Sequence, residues 1–485
     1  MKSDFKEKAL FVQLFGDTIY AVGGYVRDLI SKNQKKKKEI DILITHHTVN
    51  EITNKLKAYG RIDLVGKSFG VIKFSINGNT YDIALPRKDI SKGKKRPSHK
   101  DFLIHSDPFL PIEKDLSRRD FRCNSMALRL IDDTIIDPFG GEKDTSNKIL
   151  KLTNPQAFPE DPLRVLRAAR FASVLNFKID PEIYVISNRI DLSTLSVERI
   201  NEEIFKILLD SQKPSVGLEA LFKLGALKKI FPELYRLTLT IQDSIFHPEK
   251  DKYGHHTVWE HTKLTVDQAK RLGDIYKINQ SKNLTLILAA LFHDVGKPFV
   301  TNWDYKKGRM VITSIGHDKE SKEITKSIFN RLKIYSWNGF DVKKYVLLLI
   351  KNHHRLSELW NNRETVSKKA FNRLAADISG EIELLIYLDA ADRGGRKKRA
   401  VKGLDKEGKW LLNKFNELNI NKETIKPILL GRDLIKLGVK PGPSMGKMLK
   451  KLYSYQLDNK FKTKKEGIEI AKEMIQKSHE TSDVR

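Results

Sequence analysis

The stretch EIDILIT, residues 39–45, constrains the fold of this chain more than any other. Side chains two apart on a β-strand share a face, so Ile40, Ile42 and Ile44 turn together into a core while Glu39 and Asp41 stand side by side on the opposite face. Upstream, Gly23-Gly24 ends the strand-like TIYAV, and the short amphipathic run YVRDLI follows. Glycines let a backbone approach a ligand closely, and a helix starting there offers unpaired N–H groups and its positive dipole end to a phosphate. A self-repelling carboxylate pair is best neutralised by a divalent metal, and Mg²⁺ takes hard oxygen ligands while keeping positions for substrate phosphates. Either feature alone has a plainer reading, the carboxylates as the solvent face of an edge strand and the glycines as an ordinary turn. Together they predict a site for a nucleoside triphosphate and Mg²⁺.

Around this strand, residues 1–150 read as an α+β domain, in which VIKFSINGNTYDIALP forms two strands about an Asn77-Gly78 hairpin turn. From EDPLRVLRAARFA, residues 160–172, apolar residues recur at helical spacing, which predicts an all-α body. That body divides at the histidine-rich segment into residues 151–245, 246–400 and 401–485. A formal net charge of +28 over 485 residues favours a polyanionic partner, nucleic acid first, although a generally lysine-rich composition gives the same excess. The single cysteine, Cys123, excludes an intramolecular disulfide framework and Cys-rich zinc sites, which with the absence of any run of about 18 apolar residues predicts a cytoplasmic protein with no membrane partner.

The segments GGYVRD, EIDIL, SRRDFRCNSMAL, IIDPFGGEKD, EDPLRVLRAARFA and SVERINEEI occur in an order and spacing that resembles the bacterial-type (class II) tRNA nucleotidyltransferase and poly(A) polymerase family, in particular its CCA-adding members with an HD domain. LLGRDLIKLGVKPGPSMGKMLKKLYSYQLDNK, residues 429–460, is similar to the ends of its long members. The resemblance implies a polymerase-β-type nucleotidyltransferase head over residues 1–150, a nucleotide-selecting and RNA-binding region over 151–245, an HD domain over 246–400 and an RNA-binding tail over 401–485. It makes Glu39 and Asp41 the catalytic Mg²⁺ ligands, Glu39 standing where most relatives carry aspartate. Asp82 is similar to a further acidic position beside the metals; a carboxylate paired with Arg87 or Lys88 is the equal alternative. Gly24 and Arg27 are implied to hold the triphosphate, and Arg119 and Asp120 to contact the ribose. The chain departs from the family's pattern at Arg122, Cys123 and Ser125.

Arg164, Arg167 and Arg170 fall at i, i+3 and i+6, bringing three guanidinium groups toward one side of a helix. They are either a solvated basic face with an Asp161–Arg164 pair or part of a nucleotide site. Cytosine and adenine each present an amino donor beside a ring-nitrogen acceptor, whereas uracil and guanine present the reverse, so one carboxylate and one arginine accept C and A and oppose U and G. The resemblance assigns that pair to Asp161 and Arg164. Farther on, HHTVWEHT, LAALFHDVGKP, GHDKE, NHH and DAADRGG are similar to the HD phosphohydrolase superfamily, mapping its metal ligands onto His261, His293, Asp294 and Asp392, with His317 and His353 as further candidates. Asp392 is preferred to Asp389 because it precedes Arg393-Gly394. His293-Asp294 at the end of the buried run LTLILAALF needs compensation, and a second divalent metal supplies it; an HD fold kept as an RNA scaffold is the alternative. Arg396–Arg399 are candidate phosphate contacts or solvated surface.

The function expected is template-independent addition of C, C and A from CTP and ATP to the acceptor stem of tRNA, with a phosphohydrolase activity in the HD domain. The alternatives are a poly(A) polymerase, an A-adding or CC-adding relative, or an RNA-binding phosphohydrolase with an inactive head.

Overall fold

The computed structural model describes residues 3, 5–32, 40–65, 71–91, 102–306, 308–396, 400–420, 426–458 and 460–480. The chain forms two compact units, residues 1–235 and 236–485. The first unit opens with α1 (Lys8–Phe15), β1 (Ile19–Val22), α2 (Gly24–Ile30), β2 (Asp41–Ile44), α3 (Val49–Leu56), β3 (Arg61–Val65), β4 (Val71–Ile76) and β5 (Asn79–Ala84). It continues through β6 (Arg87–Ser91), β7 (Phe102–Ser106), α4 (Ile112–Ser117), β8 (Ala127–Arg129), β9 (Thr134–Ile136), α5 (Gly141–Ser146) and β10 (Ile149–Leu150). Thereafter it is mainly helical: α6 (Leu163–Leu175), the two-residue β11 (Lys178–Ile179), α7 (Pro181–Arg189), α8 (Val197–Asp210), α9 (Pro214–Lys223), α10 (Ala226–Ile230) and α11 (Pro232–Leu237).

The main sheet runs β3-β4-β5-β2-β1-β8-β9, with β2 and β5 parallel and the other neighbours antiparallel. The alternation expected of EIDILIT sets its layers. Ile40, Ile42 and Ile44 are buried in one cluster with Phe11 and Phe15 of α1, Val26 of α2, and Ile52 and Leu56 of α3. Leu43 joins Val22, Ala127 and α4 residues Ile112 and Leu116 on the opposite face. The β4–β5 hairpin turns at Asn77 and Gly78, both with positive φ, as the sequence required. Helix α3 is fixed by a capping box in which Thr48 Oγ1 accepts from Glu51 N–H at 3.3 Å and Glu51 Oε2 accepts from Thr48 N–H at 2.7 Å.

The second unit comprises α12 (Val258–Ile275), α13 (Gln280–Phe292), α14 (Lys297–Val300), β12 (Asn302–Lys306), β13 (Arg309–Thr313), α15 (His317–Arg331), α16 (Val342–Asn352) and α17 (Arg355–Asn361). It ends with α18 (Lys368–Asp377), α19 (Ile382–Gly395), α20 (Lys406–Glu417), α21 (Gly431–Ile435), α22 (Pro443–Leu457) and α23 (Lys464–Glu480). Helix α13 is buried on all sides from Leu284 to Phe292, and α12, α16 and α19 pack around it. Side chains of Thr257 and Asn279 cap α12 and α13. The helical body expected from residue 160 onward is present, with two additions among the described residues: the short β11, parallel to β10, and a hairpin. Strands 302–306 and 309–313 form an antiparallel hairpin: Trp303 and Tyr305 alternate with Asn302, Asp304 and Lys306 on the first strand, and the second, Arg309–Thr313, carries the apolar run Met310–Ile312, a short pattern that the flanking helical periodicity obscured. Among the described residues no helix is long and apolar enough to cross a membrane.

Ile42 has no solvent exposure in the centre of the sheet. Ile42→Ala should therefore cost about 2–5 kcal/mol, read as a lower midpoint in denaturant unfolding of the first unit's signal.

Candidate active sites

In the first unit the strand register brings two carboxylates together. Asp41 opens β2 opposite Asp82 on the parallel neighbour β5, so both stand on the sheet face that α4 covers only in part. Glu39 lies outside the described residues. Lys73, the cross-strand partner of Asp82 on β4, places its ammonium 4.0 Å away, a cation the sequence had not singled out. Both carboxylates are exposed, and their hard oxygens suit Mg²⁺.

The glycine turn sits directly against this pair. Gly23 has φ +68°, and a Cβ there would lie 2.9 Å from Arg119 Nη1 and 3.9 Å from Asp41 Oδ2. The positive φ favours glycine here, and a Cβ would also press on the guanidinium tip of Arg119. Arg119 is steered by Asp115, whose fully buried carboxylate takes Arg119 Nη2 at 3.1 Å and Arg118 Nη2 at 2.7 Å. Burial raises the pKa of Asp115, but the two guanidinium groups outweigh it and keep the carboxyl below its ordinary value.

Behind the turn, one hydrogen-bonded chain joins three of the quoted motifs. Arg27 is buried: Nε and Nη2 donate to Asp28 Oδ1 at 2.9 and 2.7 Å, and Nη1 donates to Asn124 Oδ1 at 2.7 Å. Asn124 Nδ2 donates to Asp120 Oδ1 at 3.1 Å, and Asp120 Oδ2 accepts from Arg167 Nε at 2.6 Å. Burial raises the Asp120 pKa, yet Arg167 and Asn124 hold it below the usual value. The structure thus places Arg27, Asp120 and Arg167 in the frame behind the turn. Phe171 forms its apolar centre, with Arg27, Arg167 and Arg170 Cζ atoms 5.6, 5.2 and 4.3 Å from the ring centroid.

On α6 the three arginines share a side, but each has its own partner. Arg170 Nε is 2.7 Å from Glu203 Oε2, and Asp161 pairs with Arg199 at 3.1 Å. Arg164 donates from Nη1 to Ala157 O at 2.6 Å and from Nη2 to Arg118 O at 2.7 Å. The Asp161–Arg164 ion pair of the plainer sequence reading is replaced by these contacts. The departures from the family pattern are absorbed locally: Arg122 Nε donates to Leu152 O, Ser125 Oγ meets Thr153 Oγ1 at 2.7 Å, and Cys123 is buried, which pushes its thiol pKa up to about 12.

In the second unit, histidines from α12 and three helix ends converge with an aspartate of α19. His261 lies on α12, His293-Asp294 follow α13, His317 begins α15, His353-His354 follow α16, and Asp392 lies on α19. His261 Nε2 is 2.7 Å from Asp392 Oδ1, and His293 Nε2 is 3.2 Å from Asp294 Oδ2 and 3.8 Å from Asp392 Oδ1. Asp294 Oδ1 reaches His317 Nε2 at 3.2 Å. His293, His317 and His353 repeat one device: Nδ1 lies 2.8, 2.7 and 2.6 Å from the carbonyl of the residue three positions earlier. Such a bond fixes the Nδ1–H tautomer and leaves an Nε2 lone pair to face inward. Buried His293 Nε2 and His353 Nε2 make no hydrogen bond within the protein. Burial, followed by neighbouring imidazoles, lowers the His353 pKa well below its ordinary value, and burial lowers that of His354 to about 4, so both remain neutral ligands at pH 7.

Two groupings can hold a divalent ion, His261 with His293 and Asp392, and His317 with His353 and His354. A third, His247 with Glu249 and His261, includes residues the sequence reading missed: Glu249 Oε1 lies 3.1 Å from His261 Nδ1 and 3.0 Å from His247 Nδ1. Lys297, also missed, sits 2.7 Å from Asp294 Oδ2. Asp389 stands apart, paired with Arg393, and burial raises its pKa to about 7. Arg396, expected at the surface or on a phosphate, instead binds Asp392 Oδ2 at 2.7 Å, while residues 397–399 lie outside the described residues.

Comparison with known proteins adds three family matches: the poly(A) polymerase head domain over residues 19–151, the probable RNA and SrmB-binding site of polymerase A over 176–237, and the HD domain over 258–393. The multifunctional CCA protein of Methylobacillus flagellatus is 32% identical over 349 residues, covering 70% of this chain and 75% of the relative. That of Actinobacillus pleuropneumoniae serotype 5b is 34% identical over 366 residues, covering 73% and 80%. Among solved structures, an apo CCA-adding enzyme superposes with TM-score 0.59 at 21% identity over 96% of each chain. The Thermotoga maritima CCA-adding enzyme complexed with tRNA superposes with TM-score 0.55 at 20% identity over 98% of this chain and 97% of that one. These two likenesses establish the shared fold.

The close approach at Gly23 carries a direct consequence for stability. Gly23→Ala should cost about 1–3 kcal/mol through backbone strain and displacement of Arg119, measured as a lowered thermal midpoint; an unchanged midpoint would contradict that crowding.

Proposed function

The chain belongs to the CCA protein family of nucleotidyltransferases with a poly(A) polymerase head and an HD domain, and from that premise we propose that it adds C, C and A to the 3′ end of tRNA from CTP and ATP. The observation that carries this reading is the register of Asp41 beside Asp82 against the Gly23 turn. Glu39 and Asp41, with Asp82 beside them, hold Mg²⁺, which supplies neutralisation of phosphate charge during in-line transfer. Gly24 opens the triphosphate cradle, Arg27 braces it from behind, and Arg119 and Asp120 set the ribose position. In the transfer, the RNA 3′-oxygen bonds to the α-phosphorus, the bond to the β-phosphate oxygen breaks, and pyrophosphate leaves.

Base selection falls to Asp161 and Arg164. A carboxylate accepts about four hydrogen bonds and a guanidinium donates five. Asp161 accepts from Arg199 and from Leu163 N–H, and Arg164 donates two bonds to carbonyls, so both keep capacity for a base edge. Arg199 and those carbonyls then act as the stops that fix the pair's orientation, the feature a protein template needs. The acceptor stem lies along the helical regions, whose basic residues suit a backbone-reading grip on double-stranded RNA.

The HD centre is proposed as a divalent-metal phosphohydrolase acting on phosphorylated or cyclic-phosphate RNA ends. Its support is the set of inward Nε2 atoms tethered through Nδ1, with His261, His293, Asp294 and Asp392 as ligands and His317 with His353 available to a second ion. Neutral imidazole with carboxylate suits a transition metal that activates water. We infer a cytoplasmic location, a reading that the single buried cysteine and a tRNA substrate support.

Purified protein given Mg²⁺, each labelled nucleotide in turn, and tRNA lacking its last three, two or one residues should add C, then C, then A, and stop. Unlimited A addition would identify a poly(A) polymerase, addition of only part of the triplet an A- or CC-adding enzyme, and no incorporation an inactive head. Asp41→Ala should abolish transfer while filter binding of tRNA is retained. Arg164→Ala should relax discrimination against UTP and GTP by about 10²-fold or more, because polar mismatch in a selective site is worth up to about 10⁴-fold. Asp392→Ala should lower the transition-metal content of dialysed protein and leave CCA addition intact.

A further inference from the structure

The hairpin β12–β13 is inserted between candidate ligands of the HD centre. Asp294 precedes it by eight residues and His317 follows it by four. Its base is clamped at the centre itself. Thr301 Oγ1 meets Ser314 Oγ at 2.8 Å, Ser314 O lies 2.7 Å from His317 Nδ1, and Lys297 of the preceding α14 binds Asp294. A second tether runs through the segment before α12: Asp243 takes Arg309 Nη1 at 2.8 Å, and six residues later Glu249 meets His261. The hairpin is therefore tied to the histidine cluster at two places.

Its outer face is apolar and uncovered. The register pairs Trp303 with Ile312 and Tyr305 with Met310, so these four share one face. Trp303 is 60% exposed, Tyr305 72% and Met310 51%, while Val311 on the opposite face is buried. Phe246, in the segment that Asp243 ties to the hairpin, is 61% exposed. Beside this face Lys306 is exposed, 3.4 Å from Asp304, while Arg309 is held by Asp243. A large exposed apolar patch marks an interaction site. Lysine is depleted from interfaces between proteins, whereas surfaces that bind single-stranded nucleic acid combine aromatic stacking faces with cations that track the phosphates. Aromatic faces beside the exposed Lys306 fit the second pattern.

We propose that this hairpin is the RNA-recognition arm of the HD centre: Trp303 and Tyr305 stack the bases of a single-stranded RNA end, and the neighbouring Lys306 meets its backbone, so that the terminal phosphate enters the histidine cluster. The proposal rests on the phosphohydrolase reading of that cluster for its substrate, though not for its binding surface. Stacked bases explain how a phosphatase centre prefers RNA ends to small phosphates without reading sequence, because every base offers a π-face.

The test uses the full-length protein loaded with Mn²⁺, comparing wild type with the Trp303→Ala/Tyr305→Ala double variant. Both side chains are exposed, so the variant keeps its fold, and tRNA CCA addition serves as the control. For a short RNA ending in a 2′,3′-cyclic phosphate, KM should rise about tenfold or more, the loss expected for removing one or two stacking contacts. Hydrolysis of p-nitrophenyl phosphate, which has no base, should be unchanged. An unchanged KM for the RNA overturns the proposal, as does loss of self-association by the variant in sedimentation, which would assign the face to a second copy of the chain. If wild type hydrolyses neither substrate, the phosphohydrolase reading fails while the arm is still decided. Quenching of tryptophan fluorescence by the same RNA that disappears in Trp303→Phe supports it, and quenching that persists overturns it.

Discussion

Asp120 is the point on which the first unit's site depends. Its carboxylate is buried, and it is tolerated there because Arg167, Asn124 and its neighbour's backbone N–H together satisfy it. A buried charge with one partner removed is costly, about 3–5 kcal/mol, so these groups must be placed together or not at all. That requirement locks α6 to the segment after α4, and through Asn124 and Arg27 to the turn that sets Gly23 against Asp41. The Gly23 turn, the Asp41–Asp82 pair and α6, to which the proposed function gives the phosphates, the metal and the base, thereby belong to one connected arrangement. A template made of side chains needs this, because discrimination by hydrogen-bond mismatch fails once donors can swing to suit the wrong base.

The HD centre solves the opposite problem. Four imidazoles crowd into a buried space where few charges survive, and burial with mutual repulsion keeps His353 and His354 neutral. Each of three rings spends its N–H on a carbonyl one helical turn behind it, so the lone pairs converge. Asp294 and Asp392 bring negative charge, and Lys297 and Arg396 balance it at the outer oxygens. The metal-binding capacity lies in this directed set of acceptors more than in the presence of histidines, of which the chain has others at its surface.

Much of both sites was legible from local pattern. Parity along EIDILIT placed Ile40, Ile42 and Ile44 in the core and Asp41 on the other face, and Asn77-Gly78 gave the hairpin turn that brings Asp82 into the sheet. Choosing Asp392 over Asp389 rested on a short motif, and the structure puts Asp392 beside His261 and Asp389 beside Arg393. The hairpin at 302–313 escaped because its alternation is brief and flanked by long helical segments. Glu249, Arg199 and Asp115 escaped for another reason: a lone acidic or basic residue in a loop or helix has no local signature until its partner is known.

The sequence by itself determined which strands have two faces, where turns and helix caps fall, and which motifs carry chemistry, since these depend on side-chain period and on neighbours within a few residues. Only the tertiary structure decided the pairings: Asp161 with Arg199 rather than Arg164, Arg27 inside the frame rather than on the open face, Arg396 on Asp392, and Glu249 behind His261. The physical reason is that a charge's partner is set by who is nearest once desolvation is imposed, and Glu249 with His261, Asp161 with Arg199 and Arg27 with Asn124, 12, 38 and 97 positions apart, become neighbours only when the sheet and helices have closed.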